Sequence, residues 1–314
     1  MSATALTSTK TTLSESAPSG SAAVTADSAR TPAWLTALIT RARAADGQPP
    51  FSDQSLVDLR TGERRLVQID ELAAALVSDT EAELVVDPDA RGRGIGTALL
   101  DQILNADRDD LLIWAHGDHP AARALAASHS LTAVRELLHM RADLSATSPG
   151  ASTTAPAPDS AAAHTATASA GITAFRLGHD EDDWVALNAR AFIDHAEQGS
   201  VTRTDLDELI GEPWFNADDF LLLRDSDNSL VGYCWLKIDE GTGEFYVVGI
   251  DPARQGEGFG RRLTEAGLAR LRERGITDAH LYVEGDNVAA VSLYGSLGFV
   301  RDAVDIQYLA RAQA

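Results

Sequence analysis

The sequence predicts an α/β chain built from one domain used twice, and three observations predict it. A length of 314 residues is about two ordinary domains. Two long segments recur in order: VVDPDARGRGIGTALLDQIL (85–104) matches VGIDPARQGEGFGRRLTEAGL (248–268), and LLIWAHGDHPAARALAASHSL (111–131) matches AHLYVEGDNVAAVSLYGSLGF (279–299). Each pair reads as a short apolar strand, a Gly-containing turn and a helix, an order hard to explain except as a duplication.

Two stretches fall outside the repeats. Residues 1–30 and 145–171 are Ser, Thr, Ala and Pro with few large apolar side chains, so they bury too little to offset chain entropy and are expected to be a disordered tail and linker. They bound an N-terminal domain, 31–144, and a C-terminal domain, 172–314. In the second, 172–177 reads as a strand and 181–192 as a helix opened by acidic residues, with a further helix near 204–210. Residues 220–224 and 230–238 form a hairpin about Asp225-Ser226-Asp227-Asn228. A strand over 244–250, a helix over 258–274, a strand over 280–284, a helix over 288–297 and a closing strand over 300–309 complete it.

Composition narrows the chemistry. The hydrophobic fraction of 44% suffices for two cores, and no apolar run approaches the roughly 18 residues of a membrane span. Residues 1–20 lack an apolar h-region, so a secretory leader is not expected and a cytoplasmic protein is. A single cysteine, Cys234, excludes a disulfide framework and multi-cysteine metal sites; its alternation with large apolar neighbours makes it a buried strand residue. A formal charge of −21 repels phosphate backbones, so nucleic acid is not an expected partner and a cationic small molecule is a compatible one. His116-x-x-His119 lacks a third ligand and reads as a solvated pair, so no metal is expected. The run Asp180 to Asp183 reads as a helix cap, without EF-hand spacing.

Both Gly-rich turns, Arg91-Gly92-Arg93-Gly94-Ile95-Gly96 and Gln255-Gly256-Glu257-Gly258-Phe259-Gly260, follow a strand and open a helix. Such a turn points backbone N–H groups inward beside the positive end of the helix, a combination that binds phosphate. Neither is a Walker loop or a dinucleotide fingerprint.

Gln/Arg-x-x-Gly-x-Gly after a strand ending in Asp-Pro resembles the acyl-CoA pyrophosphate loop of the GCN5-related N-acetyltransferases. Asn287-x-x-Ala-x-x-Leu-Tyr294-x-x-Leu-Gly-Phe299 resembles that family's fourth motif. The resemblance implies two tandem domains, each a mixed, mostly antiparallel twisted sheet flanked by helices, with acetyl-CoA as co-substrate. Ala191-Phe192 to Glu197-Gln198-Gly199, Glu212-Pro213-Trp214-Phe215, Gly243 to Gly249 and Leu281 to Asn287 resemble, more narrowly, the mycothiol synthase branch. That likeness implies acetylation of the cysteine amine of cysteinyl-glucosaminyl-inositol by an actinobacterial enzyme, and a monomer is expected. A transferase of other small amines or protein N-termini, and a non-catalytic acetyl-CoA-binding module, stand as alternatives.

Acetyl transfer needs a neutral amine, a stabilised oxyanion and a protonated leaving thiolate. An α-ammonium has a pKa of about 8, within reach of a carboxylate base. Alternation along the strand puts Glu244, Tyr246 and Val248 on one face, which makes Glu244 the candidate base. Tyr294 follows Asn287 by about two helical turns and is the candidate acid toward the thiolate. By resemblance, backbone groups of Val248, Gly249 and Ile250 hold the acetyl carbonyl and pantetheine arm. Gln255, Gly256, Glu257, Gly258, Phe259, Gly260 and Arg261 hold the pyrophosphate, and Asn287, Val288, Ala289, Ala290, Val291 and Ser292 complete the cofactor site. Glu257 is unfavourable beside phosphate unless it turns outward.

By the same resemblance Asp53, Glu197, Lys237, Glu244 and Tyr282 meet the acceptor. Lys237 is otherwise a surface lysine, Tyr282 a strand-packing residue and Asp53 a turn acid. In the first repeat, Leu84, Val85, Val86, Arg91, Gly92, Arg93, Gly94, Ile95 and Gly96 are the matching cofactor residues. Aligning Ile250 with Val86 sets Thr80 against Glu244, and aligning the Gly-Asp turns sets Ala126 against Tyr294. The first copy is therefore expected to bind acetyl-CoA without turnover.

Overall fold

The structure, a computed structural model, describes residues 31–105, 110–145, 171–193, 196–239 and 241–312. The expected tail and linker lie outside the described residues, apart from 145 and 171 at the linker's ends. Backbone packing divides the chain into two compact units. One holds the first repeat up to Leu138 together with the stretch from Ala303 onward; the other is His139–Asp302.

The first unit opens with α1 (Ala33–Asp46) and α2 (Asp53–Thr61), each stopped by a glycine in the left-handed region, Gly47 and Gly62. Then follow β1 (Arg65–Ile69), β2 (Ala73–Val77), β3 (Glu81–Val86), α3 (Ile95–Leu104), β4 (Leu111–Ala115), α4 (Pro120–Ser128) and the start of β5 (Thr132–Asp143). β1, β2 and β3 are antiparallel neighbours and β4 runs parallel to β3. Period two along β2 builds two cores. Ala73, Ala75 and Val77 pack with Leu99, Leu100 and Ile103 of α3, while Ala74 and Leu76 pack with Leu35, Leu38 and Ala42 of α1.

The second unit carries β6 (Gly171–Ala174), α5 (Glu181–Ala191), α6 (Ala196–Gly199), α7 (Arg203–Ile210), β7 (Phe220–Arg224), β8 (Leu230–Asp239) and β9 (Thr242–Ile250). It continues with α8 (Phe259–Glu273), β10 (Asp278–Glu284), α9 (Val288–Ser296) and the start of β11 (Val300–Ala310). β6 to β9 form an antiparallel run, and β10 joins β9 in parallel. One face is aromatic: Trp184 of α5 meets Phe220, Tyr233 and Trp235 edge-on, with ring centroids 5.5–5.8 Å apart. The other face is covered by α8. There Gly267 is needed for space, since a Cβ would sit 2.6 Å from the Phe245 ring.

The partition cuts β5 and β11 in mid-strand, at 138/139 and 302/303, rather than in the expected linker. The second half of β11 completes the sheet of the first unit, pairing Ile306 to Ala310 antiparallel with Ala115 to Leu111. The second half of β5 lies beside β10, where Leu144 N–H donates to Thr277 O at 2.7 Å. The strand expected over 172–177 ends at Ala174, because Asp180 accepts from the Arg176 amide and guanidinium and turns the chain. Asp180 is thus used by Arg176 and Arg224 and does not cap α5 with its side chain. Among the described residues no helix is long and apolar enough to cross a membrane.

Candidate active site

Each unit contains a fork between two parallel strands. The β9–β10 ladder has two rungs, Gly243 with Ala279 and Glu244 with His280. Beyond them β9 stays registered on β8 as far as Ile250 while β10 continues to Glu284 unpaired with β9. The β9 edge facing the fork, which includes Val248, Gly249 and Ile250, can therefore offer backbone groups to an extended ligand. Gly249 is constrained by close approach: a Cβ there would lie 2.5 Å from the Tyr233 ring.

β9 carries a bulge. Trp235 pairs with Val247 and Leu236 with Phe245, which leaves Tyr246 as the extra residue. The bulge corrects the expected alternation. Glu244 shares a face with Lys237, and Tyr246 packs on the aromatic side against Trp214 and Trp235 at 5.0 and 5.6 Å. Val248 pairs with Cys234 instead and faces α8 with Phe245, so it does not share the face of Glu244.

Glu244 stands on the last rung before the fork. Its Oε2 is 3.8 Å from His280 Nε2, and its side chain is 20% exposed. His139 stacks on Tyr282 (centroids 4.9 Å, planes at 23°) and meets His280 edge-on at 5.4 Å, while its Nδ1 lies 3.2 Å from Asp302. A carboxylate, two imidazoles and a phenol therefore surround the base of the fork. Tyr246, next to Glu244, is pushed up by burial and then by the charges of Glu244 and Glu212, so it stays a neutral phenol.

Tyr294 is buried in α9 at 2% exposure, with its ring 5.8 Å from Phe299. Tyr294 and Asn287 do not share a helix as expected. Asn287 is the N-cap of α9 rather than a member of it, and its side-chain oxygen accepts from Ala290 N–H at 3.2 Å. Val288, Ala289 and Ser292 are exposed, Val291 is half-buried and Ala290 is buried.

Both Gly-rich turns have the same backbone. Gly92 and Gly94, like Gly256 and Gly258, are left-handed, with φ between 73° and 84°, and nothing lies within 4 Å of an added Cβ; conformation alone calls for glycine. Gly94 and Gly258 are the N-caps of α3 and α8, which begin at Ile95 and Phe259. Glu257 turns outward onto Arg254 (2.7 and 3.0 Å), whose other arm holds Asp225 at 2.9 Å; the bond to Arg254 lowers the Glu257 carboxyl. Gln255 is half-buried ahead of Gly256, Gly260 is buried in the first turn of α8, and Arg261 donates to Ser296 at 2.6 Å.

Lys237 places its ammonium 5.4 Å from the Trp214 ring centre, on the face of Trp235 and Tyr233. Tyr233 donates to Asn188 at 2.7 Å, and Asn188 exchanges bonds with Gln198, a buried network beneath that face. Glu197 belongs to α6, but its side chain lies outside the described residues. Asp53 is exposed in the first turn of α2 in the other unit.

The first repeat has its own fork. β3 and β4 pair from Glu81–Leu112 to Glu83–Trp114 and then part around a cavity of about 380 Å³. Leu84, Val85, Val86, Arg91, Gly92, Gly94, Ile95 and Gly96 line it. Arg93 is not among its walls and bonds Asp89 O at 2.7 Å, while Arg91 forks onto Asp46 at 2.7 and 2.6 Å. The bulge also corrects the expected pairing of Thr80 with Glu244. β3 has no counterpart of Tyr246, so its numbering slips by one. Glu81 stands opposite Leu112, five residues before Gly117, as Glu244 stands opposite His280, five residues before Gly285. The first repeat thus keeps a carboxylate here, but Arg64 (2.9 Å), Gln307 (3.2 Å) and Trp114 (3.4 Å) all donate to it.

A buried charged cluster was not foreseen, and it corrects the reading of His116 as solvated. Glu83, 2% exposed, accepts from Ser55 Oγ (2.6 Å), Ser52 Oγ (2.9 Å) and Ser52 N–H (2.8 Å). His116 sits 3.6 Å from Glu83 and 3.0 Å from Asp305, and it lines the cavity. Burial works against both charges, but the His116 cation and the serine bonds hold Glu83 down at about 2, and the two carboxylates raise His116 to about 10. His119 caps α4 by accepting from Ala121 N–H. The sequence signal was Glu83 at an apolar strand position; its partners are too distant in the chain to be paired from spacing. Cys234 is fully buried as expected, and burial pushes its thiol up.

Comparison with known proteins places the chain in a family. Residues 182–299 match the model of the acetyltransferase (GNAT) family, and 62–129 match that of an acetyltransferase (GNAT) domain. The mycothiol acetyltransferase of Clavibacter sepedonicus is 45% identical, with 87% of this chain and 90% of that protein covered. That of Kocuria rhizophila is 41% identical, with 90% and 97% covered. Among solved structures, a GCN5-related N-acetyltransferase from Sphaerobacter thermophilus aligns with a TM-score of 0.65 at 20% identity over 90% of this chain and 92% of its own. A tandem GNAT protein from the clavulanic acid biosynthesis pathway aligns at 0.59 and 17% over 90% and 95%; these two likenesses speak to the fold.

Proposed function

The chain belongs to the mycothiol acetyltransferases of the GNAT family, and from that premise we propose that its second repeat moves acetyl from acetyl-CoA to the cysteine amine of cysteinyl-glucosaminyl-inositol. It is an N-acetyltransferase. The observation that carries the assignment of the reaction to this repeat is the place of Glu244, on the last paired rung before β9 and β10 separate.

Glu244 takes a proton from the acceptor ammonium, directly or through water, and frees the lone pair that attacks the thioester carbonyl. Backbone N–H groups on the open β9 edge meet the oxyanion as it forms. The tetrahedral intermediate collapses, the C–S bond breaks, and Tyr294 gives its proton to the departing thiolate. The turn from Gln255 to Arg261 meets the pyrophosphate through backbone N–H groups, with Glu257 drawn aside by Arg254. Lys237 over Trp214 and Tyr282 beside His139 offer a cation and a ring edge to sugar and inositol hydroxyls, with Glu197 as a further acceptor contact. The first repeat binds the same class of thioester and lacks a phenol at Ala126. A charge of −21 suits a small cationic acceptor and disfavours nucleic acid and anionic membrane surfaces. The reading includes a monomer in the cytoplasm.

The test is acetylation of cysteinyl-glucosaminyl-inositol beside spermidine and a peptide N-terminus. The expected kcat/KM favours the first by about 10²-fold or more. Equal or better use of the polyamine or peptide moves the assignment to a general amine acetyltransferase.

A further inference from the structure

A polar trio lies buried in the second repeat. Asn188 of α5 accepts from the Tyr233 hydroxyl at 2.7 Å and from the Gln198 side-chain amide at 2.8 Å, and its own amide donates to the Gln198 backbone oxygen at 2.7 Å. All three residues are at most 1% exposed. Asn188 occupies a core position of α5, on the buried stripe with Trp184 and Leu187. A buried amide and phenol carry a desolvation cost there that an apolar side chain would not.

The first repeat shows that the fold does not need them. Arg41 of α1 pairs with Asp87 and Arg190 of α5 with Asp251, the Asp of each Asp-Pro, which matches the two helices residue for residue. Ile39 then stands for Asn188, as Leu35 and Leu38 stand for Trp184 and Leu187. On the strands, Ala74 faces Val85 where Tyr233 faces Gly249. These positions of the first repeat belong to an apolar core. Of the two repeats, the polar trio is found in the one that carries Glu244 and Tyr294.

The trio joins the two sides of the candidate site. Tyr233 pairs with Gly249, whose missing Cβ leaves room for the ring, so the phenol is fixed against the open β9 edge. Through Asn188 the same hydroxyl reaches Gln198 in α6, the helix that carries Glu197. A helix of one turn does not hold its shape alone. Asn188 grips the α6 backbone at Gln198, and Gly199 packs so closely on the end of α5 that a Cβ would run into the Phe192 carbonyl. We propose that Asn188 is a positioning residue for acceptor binding: it sets α6 against β8, so that the acceptor contact stands at a fixed place relative to the thioester held along β9. This rests on the reading that Glu197 meets the acceptor. A buried network of this kind holds the groups it joins in one arrangement.

The experiment is steady-state kinetics of full-length wild type, N188A and Y233F with both substrates varied, beside amide hydrogen exchange of the same proteins. In N188A the KM for cysteinyl-glucosaminyl-inositol rises about tenfold or more, while that for acetyl-CoA stays within about twofold. Y233F, which keeps the ring against Gly249, raises the acceptor KM by about two- to fivefold. The amides of 196–201 exchange faster in both variants. An acceptor KM within about twofold of wild type, or unchanged exchange over α6, overturns the proposal. So does a parallel rise in both KM values, which a merely structural role would give. Should N188A fail to fold, Y233F decides alone. A wild-type protein that does not use cysteinyl-glucosaminyl-inositol removes the acceptor reading instead; exchange over α6 then still decides whether Asn188 holds that helix.

Discussion

The two repeats share a fork, a left-handed glycine pair and a carboxylate on a rung of the parallel ladder, yet they place these on different footings. Glu244 faces His280 across 3.8 Å. Glu81 receives an arginine, an amide and an indole. On the proposed mechanism a base must remain able to accept the substrate's proton, and three donors already occupy Glu81. The first repeat instead pairs the buried Glu83 with His116 and Asp305, where the second has Val247 at the position of Glu83 and packs it among aromatic rings.

The largest expected effect separates the repeats directly. Glu244→Gln and Tyr294→Phe each lower kcat by about 10²–10⁴-fold with the KM for acetyl-CoA nearly unchanged, whereas Glu81→Gln changes kcat by less than about twofold. Steady-state kinetics with both substrates varied checks it, and a near-normal kcat in Glu244→Gln removes the proposed mechanism.

Next comes the charged cluster. His116→Gln leaves the Glu83 and Asp305 carboxylates without the cation they share and costs about 3–5 kcal/mol of stability. Urea unfolding of wild type and variant measures this, and a loss under about 1 kcal/mol would mean that the cluster contributes little.

The same cluster sets a pH window. His116 is raised from 6.5 to about 10, so its contribution is complete below about pH 6.5 and is lost as pH rises through about 10. Glu83 is lowered from 4.5 to about 2, so its contribution is complete above about pH 4.5 and is lost as pH falls through about 2. The wild-type unfolding midpoint should fall from pH 7 to 10 more steeply than that of His116→Gln. Parallel curves would show that the imidazolium is not stabilised by folding.

The smallest effect concerns the acceptor. Lys237→Met removes the cation above Trp214 and raises the acceptor KM by about two- to fivefold without changing that for acetyl-CoA.

The sequence by itself determined the duplication, the α/β character, the helix and strand limits within a few residues, and both phosphate-type turns. These rest on local rules: apolar period, capping residues and the positive φ that glycine tolerates. The candidate base and acid were legible through resemblance, since residue types survive in motifs. Only the tertiary structure decided that Tyr246 bulges out of β9, because a bulge is a relation between neighbouring strands and leaves no mark in one strand's pattern. That single residue moved Val248 to the opposite face and exchanged Thr80 for Glu81 as the counterpart of Glu244. Nor could spacing bring Glu83, His116 and Asp305 together. They meet because β3, β4 and β11 are neighbours in one sheet.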